Sequence, residues 1–409
     1  MKIALLSFEY PPETGFGGIG SYTWHHARGL VRLGHEVHVL TGARQAMPLR
    51  TTEQEGVLVH RYWADGLVMR SAASLGGLQW WWTRQRLQNA WSMARGLAIL
   101  RRQYRFDAVE MPECGGEGAW LTLSGRAIPS VVRLHSPAQL IMPFYDVRAG
   151  DVRGCSAIER QAMRRARQVT ACSAWVAAEA RATLGLRQEP RVVSNGIDLE
   201  WFDAGTVDGD DEVLARLGLP RQRPMVLFTG RLERRKGIAL CGGIAAELLA
   251  RHDVTLVLAG DDLFGHFQRD VLPALAGRKL RGQVLALGHQ PAADVRALVR
   301  QCTVFLLPSL WENCPYACLE AMAAGRAVVA ARQGGMPEII QHGVNGLLAT
   351  TGDAGSFAHQ VSTLLDDPVQ RARLGAQARL TVEQHHRHTH IAALTVPVYQ
   401  AAQNQDAWP

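Results

Sequence analysis

The stretch CTVFLLPSLWENCPYACLEAMAAG, residues 302–325, holds one strand, loop and helix unit. It opens with a run of apolar and β-branched residues, a pattern that predicts a short buried strand. Pro315 suits the first position of a helix, where its missing N–H costs nothing, and Gly325 suits the left-handed position that ends one. The unit therefore carries one carboxylate, Glu312, in the loop after the strand and a second, Glu320, inside the helix.

The two carboxylates suggest an anion site at the mouth of this unit. We predict the helix over about 315–324, so the N–H groups of Tyr316 and Ala317 lie in its first turn, where the helix dipole favours an anion. Glu320 lies roughly a turn and a half into the helix, and it could accept hydrogen bonds from hydroxyl groups near that anion. The alternative is that Glu312 is a solvated loop residue and Glu320 an ordinary surface residue.

The same alternation of short strands and helices runs along the chain. Predicted strands cover residues 2–7, 36–40, 57–62, 108–111, 130–134, 169–172, 192–194, 225–229, 255–259, 283–287, 303–307 and 327–330. Amphipathic helical patterns lie between several of them, such as 21–33 and 158–167. Strands that alternate with helices form βαβ units and a mostly parallel sheet. The pattern therefore predicts an α/β fold of the doubly wound type.

A polar stretch divides this alternation into two halves. The pattern stops in the Gly- and Asp-rich segment DAGTVDGDDE, residues 203–212, and then restarts. We therefore expect two tandem Rossmann-like domains, residues 1–195 and 196–384, with a boundary region near 195–221. A C-terminal helix at about 385–405 could pack back on the first domain. Ligands of such sheets bind at the carboxyl ends of the strands, so two facing domains predict a site in the cleft between them.

Composition indicates a globular protein outside the membrane. Of the 409 residues, 47% are hydrophobic and 20% charged, and no apolar run approaches the ~18 residues of a membrane span. The first residues, MKIALLSFEYPP, place Glu9 after a short apolar run, which predicts a β-strand rather than a signal peptide. The seven cysteines include no CxxC pair and fit free thiols in a reducing compartment. We therefore expect a cytoplasmic protein.

The formal net charge of +7 favours acidic partners. Candidates are phosphorylated ligands, an anionic membrane surface and nucleic acid. The sequence has no zinc-finger spacing and no RNA-recognition signature, so nucleic acid is the weakest of the three and is not expected as a partner.

One segment suits peripheral contact with an anionic membrane. Tryptophan and arginine cluster here, at Trp80–Trp82, Arg84, Arg86, Trp91, Arg95, Arg101 and Arg102. Trp80, Leu87, Trp91, Ala94 and Ala98 keep near-helical spacing. The segment is therefore either an amphipathic helix whose apolar stripe is buried in the protein, or one that contacts lipid at the inner face of the membrane.

A glycine motif follows the first predicted strand. In YPPETGFGGIGSY, residues 10–22, Gly15, Gly17 and Gly20 match G-x-G-x-x-G. A dinucleotide site is disfavoured because two prolines separate the strand from the glycines, and because no acid follows the second strand. What remains is a glycine loop that opens a helix at Ser21, with a backbone that could approach a phosphate closely. The alternative is a flexible turn.

A basic loop follows the first predicted strand of the second domain. In FTGRLERRKGI, residues 228–238, Arg231 and Lys236 lie between a strand end and a helix start. A guanidinium and an ammonium group there would hold a pyrophosphate. The alternative is a basic helix start that faces water together with Arg234 and Arg235, although a basic first turn opposes the helix dipole. His135 lies in a comparable place, at the end of the strand VVRL, and is a further candidate for the site.

Two other patterns that resemble metal sites are interpreted as surface features. Asp208 and Asp210 have the D-x-D spacing that can hold a metal-bound nucleotide, but they lie in a loop away from any strand end, so we expect them to be solvated. The histidines at 385, 386, 388 and 390 fall in a helical pattern with only Glu383 nearby, which indicates a helix surface. We therefore expect no metal site.

Taken together, these motifs resemble a known family. They are GFGGIGSY at 15–22, NGID at Asn195–Asp198, GRLERRKG at 230–237 and ENCPYACLEAMAAG at 312–325. In this order and at these strand ends they are similar to glycosyltransferase family 4, whose members are retaining, nucleotide-sugar-dependent enzymes of the GT-B fold. The resemblance covers nearly the whole chain. It implies an acceptor-binding first domain and a donor-binding second domain.

The resemblance also implies roles for the individual residues. Gly17 and Gly18 would lie against the donor phosphates, and Arg231 and Lys236 would neutralise the leaving diphosphate. Glu320 would bind the ribose hydroxyls. Backbone contacts would come from the start of the second motif, at Asn313, Cys314, Tyr316 and Ala317.

Two residues would lie close to the transferred sugar. The resemblance places Glu312 on the hydroxyls of that sugar and His135 beside the anomeric carbon. One departure concerns Cys314-Pro315, because many members have Phe-Gly there and the proline lacks an N–H that could hold a phosphate. The two cations would replace a metal ion, so no cofactor is expected.

The implied reaction is transfer of a hexosyl unit from a UDP- or GDP-sugar to the hydroxyl of a sugar, glycolipid or small-molecule acceptor. Retention would follow from front-face attack through an oxocarbenium-like state. One alternative is a sugar-nucleotide epimerase of the same fold, with Glu9, Glu110 or Glu113 as its acids. Another is a non-enzymatic two-domain sugar-binding protein.

Overall fold

The structure is a computed structural model that describes residues 1–15, 17–64, 80–123, 128–186, 188–203, 207–219 and 222–404. The chain divides into two compact units. Unit 1 comprises Met1–Asp198 together with the chain from His388 onward, and unit 2 comprises Leu199–Arg387. The chain thus passes from one unit to the other at 198/199 and again at 387/388.

The described strands fall into two sheets. Those of unit 1 are β1 Lys2–Ser7, β2 Glu36–Thr41, β3 Met47–Gln54, β4 Val57–Trp63, β5 Ala108–Pro112, β6 Ser130–Leu134, β7 Gln168–Ala171 and β8 Arg191–Val192. Those of unit 2 are β9 Met225–Thr229, β10 Thr255–Ala259, β11 Gln283–Gly288, β12 Val304–Leu307, β13 Ala327–Ala331 and β14 Leu347–Ala349.

The helices alternate with these strands as the sequence predicts. They are α1 Gly18–Arg32, α2 Trp81–Leu100, α3 Ala119–Leu123, α4 Ala138–Ile141, α5 Ala149–Arg165, α6 Ala174–Leu184, α7 Leu199–Asp203, α8 Val207–Arg216, α9 Ile238–Arg251, α10 Leu272–Leu275, α11 Ala292–Gln301, α12 Tyr316–Ala323, α13 Met336–Ile339, α14 Ala354–Asp366, α15 Pro368–His385 and α16 His388–Asn404. Short 3-10 turns lie at Met142–Phe144 and Arg234–Lys236, and a π-helical turn at Phe267–Val271.

The sheet of unit 1 is doubly wound around β1. Its strand order is β3-β4-β2-β1-β5-β6-β7-β8, and every pairing is parallel except that of β3 with β4. The central strands are buried almost throughout, as expected for a sheet with helices on both faces. The chain leaves β1 toward β2 on one side and β5 lies on the other, so the carboxyl end of β1 is the topological switch point of this unit.

Helices α1 and α16 pack together on one face of this sheet. Leu30 of α1 and Val398 and Tyr399 of α16 belong to the same buried cluster as Ile3 and Leu5 of β1. His26 of α1 hydrogen-bonds to the Tyr399 hydroxyl at 2.8 Å. The end of the chain is therefore an integral part of unit 1.

The sheet of unit 2 is parallel throughout, in the order β11-β10-β9-β12-β13-β14. Its core lies between this sheet and helices α9 and α14, where Phe228, Leu248, Leu306 and Phe357 are fully buried. The prediction of an α/β fold with two mostly parallel sheets is confirmed.

Several boundaries differ from the sequence prediction for physical reasons. Strand β3 was not predicted because it is a polar edge strand, with alternate residues half-exposed. Helix α1 begins at Gly18 rather than Ser21, and α5 begins at Ala149 rather than Ile158. Glycine and polar residues in these first turns hide the helical periodicity.

The described part of the chain contains no helix that is both long enough and apolar enough to cross a membrane.

Candidate functional site

Two loops meet at the carboxyl ends of the neighbouring strands β9 and β12. The first follows β9 and contains the 3-10 turn Arg234–Lys236, and the second joins β12 to α12. The Leu310 N–H donates a 2.8 Å hydrogen bond to the Arg235 carbonyl, which holds the two loops together. The basic loop and the first glutamate of the motif are thereby brought side by side.

Glu312 lies at the centre of this contact with only 6% of its surface exposed. Its Oε1 atom contacts the Lys236 ammonium, accepts a hydrogen bond from the Ser309 hydroxyl at 3.1 Å, and lies 3.4 Å from Arg235 Nη1. Within the described part of the chain, all polar contacts of this carboxyl go to Oε1. Oε2 is therefore the oxygen that remains for a ligand.

The charges around Glu312 keep it ionised despite its burial. Burial alone would raise the pKa of this carboxyl, but Lys236 and Arg235 outweigh that effect and hold the pKa below its ordinary value. Burial is also the main influence on Lys236, whose pKa is lowered although Glu312 opposes the change. The pair is therefore a buried ion pair at neutral pH.

Arg235 is a buried member of this site, whereas the disfavoured alternative for the basic loop had it facing water together with Arg234. Only Arg234 of the pair is exposed, whereas Arg235 is 6% exposed. Its Nη2 lies 3.0 Å from Glu233 Oε1, and its Nη1 donates to the Trp311 carbonyl at 3.4 Å. No local pattern marks this residue, because its partners at 311 and 312 lie far along the chain.

Arg231 occupies the outer side of the same cluster. Its side chain is 57% exposed and its Nη2 lies 3.6 Å from Glu233 Oε1. This is the only ionic contact of Arg231 among the described residues, and an exposed guanidinium held so weakly can be recruited by an anionic ligand at little cost. Arg231 and Lys236, the two predicted cations, thus lie on either side of Arg235 in this cluster.

Helix α12 begins at Tyr316, and Pro315 is its N-cap rather than its first residue. The proline therefore lies outside the helix, and its missing N–H removes none of the helix's own first-turn donors. The Pro315 carbonyl accepts from Cys318 at 3.1 Å, while the Ala317 N–H makes no hydrogen bond within the described residues. Asn313 and Cys314 are buried beside this turn. Gly325 adopts the left-handed conformation predicted for the helix end, with φ of 65°.

Glu320 is half-buried on α12. Burial raises the pKa of its carboxyl to about 7, and the charge of Arg296 opposes the rise only in part. No hydrogen bond reaches this carboxyl from the residues that the structure describes. It is therefore an unengaged acceptor next to the start of α12.

The loop after β13 packs against Glu312 from a third side, a contact that no sequence pattern predicts. The Gly335 N–H donates a 3.0 Å hydrogen bond to the Glu312 carbonyl. Gly334 has φ of 62°, and a Cβ there would lie 2.0 Å from the same carbonyl oxygen. Only glycine permits this approach.

In unit 1, the glycine motif surrounds the side chain of Glu9. A Cβ at Gly17 would lie 2.3 Å from Glu9 Oε2, and Cβ atoms at Gly15 and Gly20 would lie 3.2 and 3.1 Å from carbons of the same side chain. Gly18 differs, because a Cβ there would meet nothing within 4 Å. The three motif glycines make room for a carboxylate, and Gly18 alone presents an open backbone surface.

His135 is buried at the end of β6, with its ring against that of Tyr22 at a centroid distance of 4.9 Å. Its backbone N–H donates to both oxygens of Glu113, at 2.8 and 2.9 Å. Burial, together with the charges of Arg133 and His26, holds the pKa of His135 well below its ordinary value. The imidazole is therefore neutral at neutral pH.

The acids that an epimerase would need are engaged in contacts within unit 1. Glu110 accepts hydrogen bonds from the Tyr22 hydroxyl at 2.7 Å and the Tyr399 hydroxyl at 2.8 Å. Glu113 is bonded to the backbone at His135, and Glu9 is enclosed by the glycine motif. The structure thus gives each of these three carboxylates a role in supporting the fold.

Two predictions of surface residues are wrong in part. Asp210 is 1% exposed and makes an ion pair with Arg300, because it lies on α8 rather than in a loop. The side chain of Asp208 lies outside the described residues. Of the four histidines expected on a helix surface, His385 and His390 are exposed, whereas His386 and His388 are buried where α15 gives way to α16. Within the described ranges, no group of three or more His, Cys, Asp or Glu side chains could hold a metal ion.

The predicted apolar stripe of α2 is not its buried face. The buried residues are Arg86, Ala90, Ser92, Met93, Gly96, Leu97 and Leu100. Arg86 is tolerated there because its Nε lies 2.8 Å from the buried Glu159. Trp80, Trp81 and Trp82 are more than two-fifths exposed.

Comparison with known families assigns both halves of the chain. The model "Glycosyltransferase Family 4" matches residues 16–201, and the model "Glycosyl transferases group 1" matches residues 210–381. The two matches follow each other along one chain, which therefore belongs to the glycosyltransferases that these two models describe.

Similar proteins support the same assignment. The chain is 29% identical to the alpha-maltose-1-phosphate synthase of Mycobacterium tuberculosis, over 98% of this chain and 99% of that protein. Among solved structures, sucrose-phosphate synthase from Thermosynechococcus elongatus superposes with a TM-score of 0.77 at 20% identity over 98% of both chains. HepE of Anabaena in complex with UDP-glucose superposes with a TM-score of 0.69 at 21% identity, over 97% of this chain and 98% of that one. The fold of this glycosyltransferase is therefore GT-B.

Proposed function

We propose that this glycosyltransferase transfers a hexosyl unit from a UDP- or GDP-sugar to an acceptor hydroxyl, with retention of the anomeric configuration and without a metal ion. The observation that carries the proposal is the cluster at Glu312. There a buried carboxylate, two cations and the start of a helix come together at the carboxyl ends of β9 and β12. Such a strand edge is where doubly wound sheets bind their ligands.

The cations and the helix start suit a nucleoside diphosphate. Arg231 is exposed and weakly engaged, and Lys236 lies within reach of the same loop, so both can neutralise the charge that develops on the leaving diphosphate. The first-turn N–H groups of α12 add donors for the phosphate oxygens. Backbone contacts from Asn313, Cys314, Tyr316 and Ala317 belong to the same proposal.

The two glutamates bind different hydroxyl groups of the donor. Glu320 has no partner within the described residues, and its placement on α12 suits a ribose next to the diphosphate. Glu312 is fixed through Oε1 and keeps Oε2, which suits a hydroxyl of the transferred sugar. A fixed carboxylate orients a sugar better than a solvated one.

Reaction by front-face attack needs no protein nucleophile. The bond between the anomeric carbon and the diphosphate oxygen breaks as the acceptor oxygen bonds to the same face. The acceptor's proton passes to the departing diphosphate oxygen. The neutral imidazole of His135 and the open backbone at Gly18 are the contributions we assign to unit 1, whose proposed role is acceptor binding.

UDP is the first donor to test, because the similar Anabaena protein has been crystallised with UDP-glucose. Thermal unfolding is measured with UDP and with GDP, since a ligand at 100 times its Kd adds about 2.7 kcal/mol of stability. Stabilisation by neither nucleotide would contradict the proposed donor. NMR of the product then shows whether the anomeric configuration is retained.

Turnover with the donor so identified should persist in excess EDTA, because Arg231 and Lys236 do the work of a metal ion on the diphosphate. The rate is measured before and after chelation and again with added Mg²⁺ or Mn²⁺. A strict requirement for either ion would refute the metal-independent mechanism.

A further inference from the structure

Arg235 lies between two buried carboxylates, although the proposed chemistry assigns it no task. Its guanidinium contacts Glu233 Oε1 at 3.0 Å and Glu312 Oε1 at 3.4 Å, and both acids are at most 6% exposed. Its backbone carbonyl also accepts the hydrogen bond from Leu310 that joins the two loops. Together with the hydrogen bond from Nη1 to the Trp311 carbonyl, these contacts hold Arg235 in place.

Among the described residues, the Lys236 side chain makes a polar contact with Glu312 alone. Its ammonium contacts Glu312 Oε1, the same oxygen that Arg235 approaches, at the end of a flexible four-carbon chain. The site therefore contains one carboxylate oxygen with two cations, one rigidly held and one on a flexible side chain. In the whole cluster, the cations of Arg231, Arg235 and Lys236 face the two carboxylates of Glu233 and Glu312, which leaves one positive charge in excess.

We propose that Arg235 is the permanent counter-ion of Glu312 and that Lys236 is an exchangeable one, which moves to the diphosphate when the donor binds. Arg235 is then a positioning residue, since it acts through Glu312 and touches no substrate. The inference rests on the proposed function, because it takes a nucleoside diphosphate as the ligand that draws Lys236 away.

The physical reason is the cost of leaving a buried carboxylate without a cation. Such a group either pays a large desolvation penalty or takes up a proton. If Lys236 left a Glu312 that had no second cation, the carboxyl would become protonated at neutral pH and would lose much of its strength as an acceptor. Arg235 and the Ser309 hydroxyl prevent this by staying on Oε1 throughout.

The titratable groups around Glu312 are few. Lys236 and Arg235 face it from the loop after β9, with Glu233 behind Arg235, and the Cys318 thiol faces it from α12. Burial, and after it the nearby Cys314 and Glu312, keep the pKa of the Cys318 thiol well above its ordinary value, so this group stays neutral. In this proposal Lys236 stays a cation on the diphosphate, so proton exchange at this cluster near neutral pH is assigned to Glu312.

The test measures protons taken up when UDP or GDP binds. Calorimetric titrations at pH 7 in two buffers of different ionisation enthalpy give the number of protons for the wild type and for Arg235→Met. We expect Arg235→Met to take up close to one proton more than the wild type, and its Kd to rise up to tenfold per pH unit above pH 7. Any proton that the nucleotide itself takes up or releases on binding is common to the wild type and the variant, so it cancels in the difference between them.

Two further variants make the comparison specific. Arg234→Met removes the adjacent exposed arginine and should bind with the proton count of the wild type. Arg235→Lys keeps a cation and should restore most of that count. Arg235→Gln, which loses the charge but keeps a donor for the Trp311 carbonyl, is measured beside Arg235→Met in case the latter does not fold.

The outcomes separate the two proposals. An unchanged proton count in folded Arg235→Met or Arg235→Gln overturns the inference, and so does an equal loss of UDP and GDP binding at every pH, which would make Arg235 a direct phosphate ligand. A wild type that binds neither nucleotide refutes the proposed donor class, and this inference with it.

Discussion

Glu312 and Glu320 belong to one sequence motif but have opposite electrostatic surroundings. Two cations depress the pKa of Glu312, whereas burial raises that of Glu320 to about 7 with only Arg296 in opposition. The Glu312 carboxylate is thus ionised and fixed by its contacts, whereas the Glu320 carboxyl accepts no hydrogen bond from the described residues. This contrast supports different tasks for the two residues.

Substitution by glutamine should separate these tasks. Glu320→Gln is expected to weaken binding of the free nucleoside diphosphate by about tenfold, the usual worth of a hydrogen bond to a charged group. Glu312→Gln should leave that binding within about threefold and reduce turnover by at least about a hundredfold. Calorimetry and initial rates measure the two effects. Equal losses of nucleotide binding would show that Glu312 does not face the sugar.

Glu320 should also make the stability of the protein depend on pH. Because its pKa is raised to about 7 in the folded state, the folded protein binds a proton more tightly than the unfolded chain, and stability falls as pH rises from about 4.5 to 7. Glu320→Gln removes this loss. It should stabilise the protein at pH 8 by up to about 3 kcal/mol and have little effect at pH 4.5. A gain that is the same at both pH values would contradict the raised pKa.

At the scale of elements, the loop from β1 to α1 shows what a glycine motif can mean in three dimensions. Gly15, Gly17 and Gly20 accommodate Glu9, and only Gly18 offers an open surface. The same spacing in a dinucleotide site serves the approach of a pyrophosphate. The spacing of the glycines is the same whether they make room for the phosphate of a ligand or for a carboxylate of the chain itself, here Glu9.

Adding one methyl group at each of two adjacent positions tests this interpretation. Gly17→Ala should destabilise the protein by about 1–3 kcal/mol, because its Cβ would overlap the Glu9 carboxylate. Adding Glu9→Ala should recover part of that loss, so thermal unfolding of both single variants and the double variant gives the coupling. Gly18→Ala, where the space is open, should leave stability nearly unchanged and weaken nucleotide binding if phosphate lies there. Additive effects at 9 and 17 would refute the contact.

At the scale of the whole molecule, the net charge of +7 and the exposed tryptophans at the start of α2 motivate the hypothesis that an anionic surface is a partner. Trp80–Trp82 are exposed, as are Arg101 and Arg102 just beyond the end of the helix. Each Lys or Arg near an anionic membrane adds on the order of 1 kcal/mol of binding. Peripheral membrane contact is thus a hypothesis that the structure makes specific.

Sedimentation with anionic and neutral vesicles tests whether the protein contacts a membrane. The protein should sediment with anionic vesicles at low salt and return to the supernatant as salt is raised. Replacing Arg101 and Arg102 by glutamine should weaken the binding, whereas Arg234→Gln, an exposed arginine of unit 2, is the control. Protein that stays in the supernatant with anionic vesicles at low salt would remove the membrane as a partner.

Much of this protein could be predicted from its sequence, because the deciding signals are local. Short apolar strands, the glycine that ends α12 and the order of the motifs specify a doubly wound fold and the position of Glu312 in a strand-to-helix loop. Strand β3 was missed since an edge strand need not be apolar, and the buried face of α2 was misplaced since an arginine lies in it. Burial of Arg86 depends on Glu159, far along the chain.

Only the tertiary structure decided which charges share one site. Arg235 and Glu312, Asp210 and Arg300, and Glu9 and the glycine motif are each joined by folding rather than by spacing. A charged residue carries no local mark of its partner, because the energy that holds it arises from burial and from an opposite charge brought near by distant segments. The sequence therefore determined the fold and the candidate residues, and packing determined which of them are held, which are exchangeable and which are open to a ligand.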